Sequence, residues 1–479
     1  YGFFTTEFSE QAMFDIQLQP FRSGANNLKV TATDFGGNPL PDMDGIKVKV
    51  SNPSRNISPI EIPMNPIDQV EGEIATKFQG DVTFGFSGEW QMQVESQRTQ
   101  SANEGVTLNL LIKPRLPDIK AEVVEFQFPE ESSPLFPVYH DGSIWISDPS
   151  APKIWEFSIN DESFTKHEFA GQASVGLAVD NDGKIWYTDL RATEIGYIDP
   201  KTDESKRIKL PDIFPNNEKS VPITLDADFE NNIWVSITSK NAIIKYDQET
   251  EEFEQFFLPT LDSAPFTVLQ GPDGKIWFTQ LGAGQIGYII PDTGEIKEII
   301  PDVPLETPET MIFDKDGNIW ISEHSEGGAI TKYNPVLDTF EKVSAPDPLA
   351  FPNSATFDRY QNIWFAQHTV DKIAAYDPHN GNVIEVPIPT EESWVQFTVS
   401  DDKNNIWFVE QKPYKLGTLK LTELPSTAVI LDEGPEISLR YTEIASPLIS
   451  AGIIATSLFF VKSIKDKRRI NSLIEEEDR

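Results

Sequence analysis

The sequence predicts an all-β protein: an N-terminal immunoglobulin-like β-sandwich, then a seven-bladed β-propeller, with one C-terminal transmembrane α-helix. Three observations carry this expectation. Ile-Trp pairs recur seven times, ending in Trp145, Trp186, Trp234, Trp277, Trp320, Trp364 and Trp407, at intervals of 41, 48, 43, 43, 44 and 43 residues. A period in the forties made of short strands is one four-stranded blade per repeat. Upstream lie alternating apolar and polar segments between Gly, Pro and Asn turns. Near the end, residues 444–461 run for 18 residues without a charge, about 27 Å as a helix and enough to cross a bilayer.

The whole chain narrows the classes. Its 479 residues exceed the repeat region by enough for a separate N-terminal domain. With 76 acidic against 39 basic residues and a net charge of −37, it should repel phosphate backbones, so nucleic acid is not an expected partner. A hydrophobic content of 39% is too high for a disordered chain. There is no cysteine, which excludes disulfides, thiolate nucleophiles and thiolate metal sites.

Residues 1–113 supply the sandwich. FDIQL (14–18), NLKVTATD (27–34), GIKVKV (45–50), GEIATKF (72–78), GEWQMQVES (88–96) and VTLNLLI (106–112) have the spacing of an immunoglobulin-type pair of sheets. Met13, Met43, Met64 and Met92 fall here; thioethers suit Cu(I), although methionine is also ordinary core filler. No histidine precedes His140, so imidazole ligands for Cu(II) are absent from this unit. The stretch LQPFRSGANNLKVTATDFGGNPLPD (18–42), with GFSGEWQMQV (85–94) downstream, resembles the extracellular sandwich of CopD-type copper-resistance proteins. That resemblance implies copper handling, or a membrane assembly that uses copper. Residues 114–121 are expected to be a linker.

Residues 122–421 supply the propeller. In the repeat around Trp186, an inner strand VGLAVD (175–180) leads through Asn181-Asp182-Gly183 into KIWYTD (184–189), then EIGYID (194–199) and KRIKLP (206–211). The position three before each tryptophan is Gly142, Gly183, Asn231, Gly274, Gly317, Gln361 or Asn404, and Gly and Asn accept the positive φ of a tight hairpin. The seven tryptophans are expected to pack between blades. KLGTLKL (415–421) is not followed by an outer strand, whereas VVEFQFP (123–129) matches outer strands such as EQFFLP (254–259) yet precedes the first blade. Residues 123–129 should therefore complete the blade of Trp407 and remove an exposed edge. DGKIWFTQLGAGQIGYIIPDTGEIKEI (273–299) resembles the repeat of the virginiamycin B lyase family of seven-bladed propellers.

Ligands are expected at the channel mouth, where insertions such as 211–223 gather. Three residues after each tryptophan stand Asp148, Asp189, Ile237, Gln280, Glu323, Gln367 and Glu410, the predicted ring. One position on, neighbouring blades carry His324 and His368. Glu323, His324, His368 and Glu410 could hold a divalent cation such as magnesium, with His324 and Glu323 as the catalytic pair. The lyase resemblance implies that same chemistry, a channel-mouth histidine as base beside a glutamate-bound magnesium opening an ester by elimination. In the family the acid and histidine stand two apart, whereas Glu323 and His324 are adjacent and should point oppositely. Trp394, in TEESWVQF, stands apart from the repeat and is a candidate binding aromatic or lid.

The C-terminal part is expected to be a stalk (422–443), a membrane helix (444–461) and a cytoplasmic tail (462–479). Lys462, Lys465, Lys467, Arg468 and Arg469 follow the apolar run and place that end inside. Everything before it is then extracellular, on a single-pass membrane protein. Small residues at Ser446 and Ser450, Ala451 and Ala455, and Gly452 and Thr456 allow close contact with an integral-membrane partner. The chain opens on Tyr1 without a signal segment, as expected of a processed product. Three functions follow: an anchored binding or scaffold protein, a magnesium-dependent lyase or hydrolase, and a lectin-like surface protein.

Overall fold

The computed structural model describes residues 2–67, 72–211 and 220–423. Tyr1, most of the 211–223 insertion, the expected stalk beyond residue 423, the apolar segment 444–461 and the tail lie outside the described residues. Thr422 and Glu423, expected in the stalk, instead extend the strand Lys415–Glu423. Among the described residues, no helix is long and apolar enough to cross a membrane.

Two antiparallel sheets form the N-terminal unit. One has five strands in the order Phe3–Phe8, Met13–Gln19, Gly24–Thr33, Lys77–Phe84 and Asn65–Pro66; the other has Ile57–Ile62, Met43–Asn52, Gly88–Arg98 and Gly105–Ile112. Alternation sets their inner faces, as in Met13–Gln19, where Phe14, Ile16 and Leu18 are buried and their neighbours are not. Both sheets feed one cluster around Phe84, Trp90 and Met92. Met43 and Met92 are enclosed in that cluster and Met64 packs against it, the placement of core filler.

Seven four-stranded sheets follow. Numbered by their tryptophans, blade 1 begins at Pro137–His140, blade 2 at Leu177–Val179, blade 3 at Pro222–Ala227, blade 4 at Pro265–Gln270, blade 5 at Pro308–Phe313, blade 6 at Pro352–Phe357 and blade 7 at Val395–Ser400. Every second strand is buried along its whole length, because neighbouring blades cover both its faces. The seven repeat tryptophans are at most 2% exposed. Burying an indole N–H requires an acceptor. Asp180, Asp228, Asp314, Asp358 and Asp401, each six residues before its tryptophan, accept from that indole at 2.8–3.1 Å. In blade 4, Gly271 stands at that place and Asp273 accepts instead, at 3.1 Å.

The fourth strand of blade 7 is Ile119–Gln127, antiparallel to Lys415–Glu423, with Phe126 opposite Leu416. It begins earlier than the expected 123–129, and the residues expected as a linker are built into the propeller. Leu116 and Ile119 join a cluster with Tyr360, Trp364 and Ile388. Pro114 O accepts from Arg22 Nη1 at 2.7 Å, while Arg22 Nη2 reaches Asp377 Oδ1 at 3.1 Å. One buried guanidinium thus spans the sheet pair, the connection and blade 6.

Candidate functional site

The ring expected at the channel mouth lies inside the sheet stack. Asp148, Asp189, Ile237, Gln280, Glu323, Gln367 and Glu410 are all at most 1% exposed. The reason is register: Glu323 still pairs with Pro308, Gln367 with Pro352 and Glu410 with Val395 at the start of the inner strand. These side chains fasten blades internally. Asp148 accepts from Ser150 N at 2.9 Å, Asp189 from Gln172 N at 2.6 Å, and Gln280 and Gln367 donate to Glu298 and Glu385 at 2.7 and 2.8 Å. Glu323 is held by Thr331 Oγ1, by Glu306 N at 2.6 Å and by Lys342 Nζ at 3.1 Å. It does not meet His324, so the predicted catalytic pair is not assembled.

The next residue is the one that turns over the mouth. The backbone N–H of Leu281, His324, His368 and Gln411 bonds to the carbonyl of Ala264, Thr307, Phe351 and Trp394, just before the inner strand, at 3.0–3.3 Å. This shared geometry stacks His324 on His368, with ring centroids 5.4 Å apart and planes 9° apart. His368 Nδ1 lies 3.3 Å from His324 Nε2, and His324 Nδ1 lies 3.3 Å from Glu309 Oε2. Asn353 Nδ2 donates to Glu309 at 2.8 Å. On the far side, Gln396 Nε2 stands 3.4 Å from His368 Nε2 and donates to Gln411 at 3.0 Å. With the proton on Nδ1 of each ring, donation runs from Gln396 through His368 and His324 to Glu309.

Aromatic rings border this polar arc. Phe351 meets His324 edge-on at 5.7 Å, Trp394 meets His368 at 5.6 Å, and Phe397 packs on Phe136 at 3.9 Å. Trp394 is 49% exposed and its φ is 52°, a left-handed conformation a bulky residue rarely holds.

Burial decides the charge state. It lowers His324 to about 4, helped by neighbouring His368, and lowers His368 as well. It raises Glu309 to about 8, against the hydrogen bond from Asn353. At neutral pH the His324–Glu309 contact is therefore a hydrogen bond between uncharged groups rather than an ion pair. This donor set does not fit magnesium, which requires ionised oxygen ligands in octahedral geometry. Glu323 and Glu410 are enclosed elsewhere, and no cluster of three or more candidate metal ligands occurs among the described residues.

Residues 206–427 match the Virginiamycin B lyase family. A virginiamycin B lyase from Nocardia farcinica (strain IFM 10152) is 23% identical over 206 residues, 43% of this chain and 68% of the relative. Selenomethionine-substituted virginiamycin B lyase from Staphylococcus aureus superposes with a TM-score of 0.58 at 23% identity, covering 63% of this chain and all of that one. A catalytically inactive histidine-to-alanine variant of the S. aureus enzyme with quinupristin gives 0.58 at 24% identity over the same shares. A β-propeller domain from Myceliophteria thermophila gives 0.52 at 7% identity, covering 63% of this chain and all of that one. These superpositions establish the propeller fold.

Glu309, Asn353, Gln396 and Gln411 were not among the residues expected from the sequence, although Gln411 stands four past Trp407, at the histidines' own place. A second register exposes three of them: the residue after the one opening the inner strand is Ile223, Phe266, Glu309, Asn353 and Gln396 in blades 3 to 7. Apolar in blades 3 and 4, this position turns polar in blades 5 and 6, where the histidines stand, and in blade 7, where Gln411 takes their place.

Proposed function

We propose that this chain is a membrane-anchored extracellular binding protein whose propeller mouth takes an uncharged ligand bearing aromatic or amide groups. The observation that carries the reading is the His324–His368 stack backed by Glu309. All its polar groups are neutral near pH 7 and aromatic rings border it, which favours a neutral hydrogen-bonding ligand over an ion. The apolar segment 444–461 and the basic cluster after it support the anchor. The N-terminal sheet pair is proposed to be immunoglobulin-like and of CopD type, which speaks for an integral-membrane partner; a copper link rests on that likeness, since Met43 and Met92 serve the core. The family match supports a lyase as the alternative. Against it stands the commitment of Glu323 to Lys342 and Thr331.

Quinupristin, the ligand in the relative's crystal, tests this by calorimetry with chromatography of the recovered compound. Binding of intact quinupristin, weakened about tenfold or more by His324→Ala with His368→Ala, is expected. Recovery of ring-opened product would replace this reading with the lyase, and absence of binding both of quinupristin, which carries a protonated amine, and of an uncharged aromatic amide such as N-acetyltryptophanamide would refute the assigned ligand class.

A further inference from the structure

Four successive crossings, from the outer strand of one blade to the inner strand of the next, rise on the face that holds the histidines. Each puts a large apolar side chain into water: Leu261 is 83% exposed, Val303 78%, Leu349 60% and Trp394 49%. They share a face because each crossing leads into the residue paired with the end of the second strand, at Pro265–Gln280, Pro308–Glu323, Pro352–Gln367 and Val395–Glu410. Inner strands of blades 3 to 7 follow one another around the channel, so these side chains form an arc rather than scattered single exposures. Isolated exposed apolar residues need no explanation, whereas a repeated series on one face marks an interaction surface.

Beside Val303 opens a cleft of about 570 Å³, walled by Ile300, Val303, Leu305 and Phe340. Its floor is already satisfied, with Glu323 bonded to Lys342 and Tyr333 bonded to Asp338. The cleft suits an apolar side chain, the kind of buried anchor that dominates protein interfaces.

Charge points to the sign of the partner. Exposed Asp262, Asp302, Glu306 and Glu391 stand on the same crossings. The lysines of this face are occupied: Lys342 by Glu323, Lys372 by Asp347 and Glu385, Lys412 by Glu392 and Lys415 by Glu125. An apolar arc interleaved with carboxylates is complementary to an extended basic segment carrying apolar residues.

We propose that the rim over blades 3 to 6 docks a basic polypeptide segment, with one apolar side chain seated in the cleft beside Val303. This extends the binding reading to the same face but, Trp394 apart, uses different residues. A fluorescent peptide of about 12 residues with leucines and lysines among glycines, followed by anisotropy on the full chain, is the probe. Binding is expected, falling about tenfold or more in Leu261→Ser/Val303→Ser/Leu349→Ser and in Asp262→Asn/Asp302→Asn/Glu391→Gln, and falling in about 0.5 M salt. His324→Ala alone, which leaves the His368 contact with Trp394 in place, should leave it unchanged, which separates this proposal from the mouth's ligand. Equal affinity for wild type and both rim variants would reduce the effect to general acidity and overturn it. Binding of phosphatidylcholine vesicles lost in the apolar variant would overturn it in favour of a lipid surface.

Discussion

Glu410 in blade 7 faces Glu125 of the closing strand at the place where Gln367 in blade 6 donates to Glu385. The surroundings repeat as well, since Lys415 binds Glu125 as Lys372 binds Glu385. Two carboxyls therefore meet where the other blade has an amide and a carboxylate. Neither Glu410 oxygen has an ordinary donor beside it, which favours the protonated form of Glu410 next to the Glu125 carboxylate. Burial, then the charge of Glu125, raises Glu410 to about 8, with Lys415 opposing and Asp371 adding to the rise. Burial also works to raise Glu125, but Lys415 and Thr390 outweigh it and hold that carboxyl low.

The sign of the pH effect follows. Between its unfolded pKa, about 4.3, and about 8, folded Glu410 keeps a proton that the unfolded chain has lost. Stability falls with rising pH across that window and stays lost above it. Glu410→Gln should flatten part of this loss, raising the urea midpoint at pH 9 relative to wild type, with Glu309 supplying another share of the slope. Gln367→Glu should install a second acid pair and steepen it. Equal midpoints for all three proteins at pH 9 would count against a shared proton.

Arg22 is 1% exposed and its partner Asp377 fully buried. Removing one member strands the other charge, so Arg22→Met should cost about 3–5 kcal/mol in urea unfolding. Arg22→Met with Asp377→Asn should recover a substantial part, because the orphaned carboxylate is gone. A single-variant cost below about 1 kcal/mol would show that water reaches Asp377.

Phe128, just past the closing strand, is 2% exposed and packs on Trp155 and Phe164 of blade 1 at 5.6 and 4.5 Å. It ties blade 7 to blade 1 across the seam. Phe128→Ala should cost about 3 kcal/mol and speed proteolysis around 119–128. Phe164, half-buried, is the control: alanine there removes a contact of Phe128 without emptying an enclosed site and should cost less.

His324 should be neutral at pH 6, in its Nδ1-protonated form as read by nitrogen-15 shifts, and burial should make His368 titrate below the ordinary imidazole range. His324, lowered by burial to about 4, contributes stability that is present above about 6.5 and is lost as pH falls toward 4. His324→Phe should therefore gain relative stability at pH 4.5 over pH 7. A measured His324 pKa near 6.5 would show an open, hydrated mouth instead.

The blades were legible because each repeats a tryptophan and a turn residue at fixed offsets, and five of them an aspartate that holds the indole. The mouth was legible only in part. His324 and His368 stood out as neighbours one repeat apart, but counting three past each tryptophan stopped one residue short of the turn and selected Glu323 and Gln367, which the ladder still encloses. Glu309 was hidden by its setting, a lone carboxyl in the inner strand Pro308–Phe313, outside the register of the tryptophans. Arg22 could not be read at all, since its partner Asp377 is distant in sequence and its value comes from burial.

The seam that shuts the ring joins Glu125 to Lys415, 290 residues later. A ribosome releases the first of these long before the second exists, so six blades can stack while the seventh waits for its final neighbour. Contacts of such long range slow folding, and the ordering makes ring completion a late event of synthesis. Nascent chains ending before residue 415 would present two unpaired edges at once, the form most exposed to chaperones, proteases and wrong pairing.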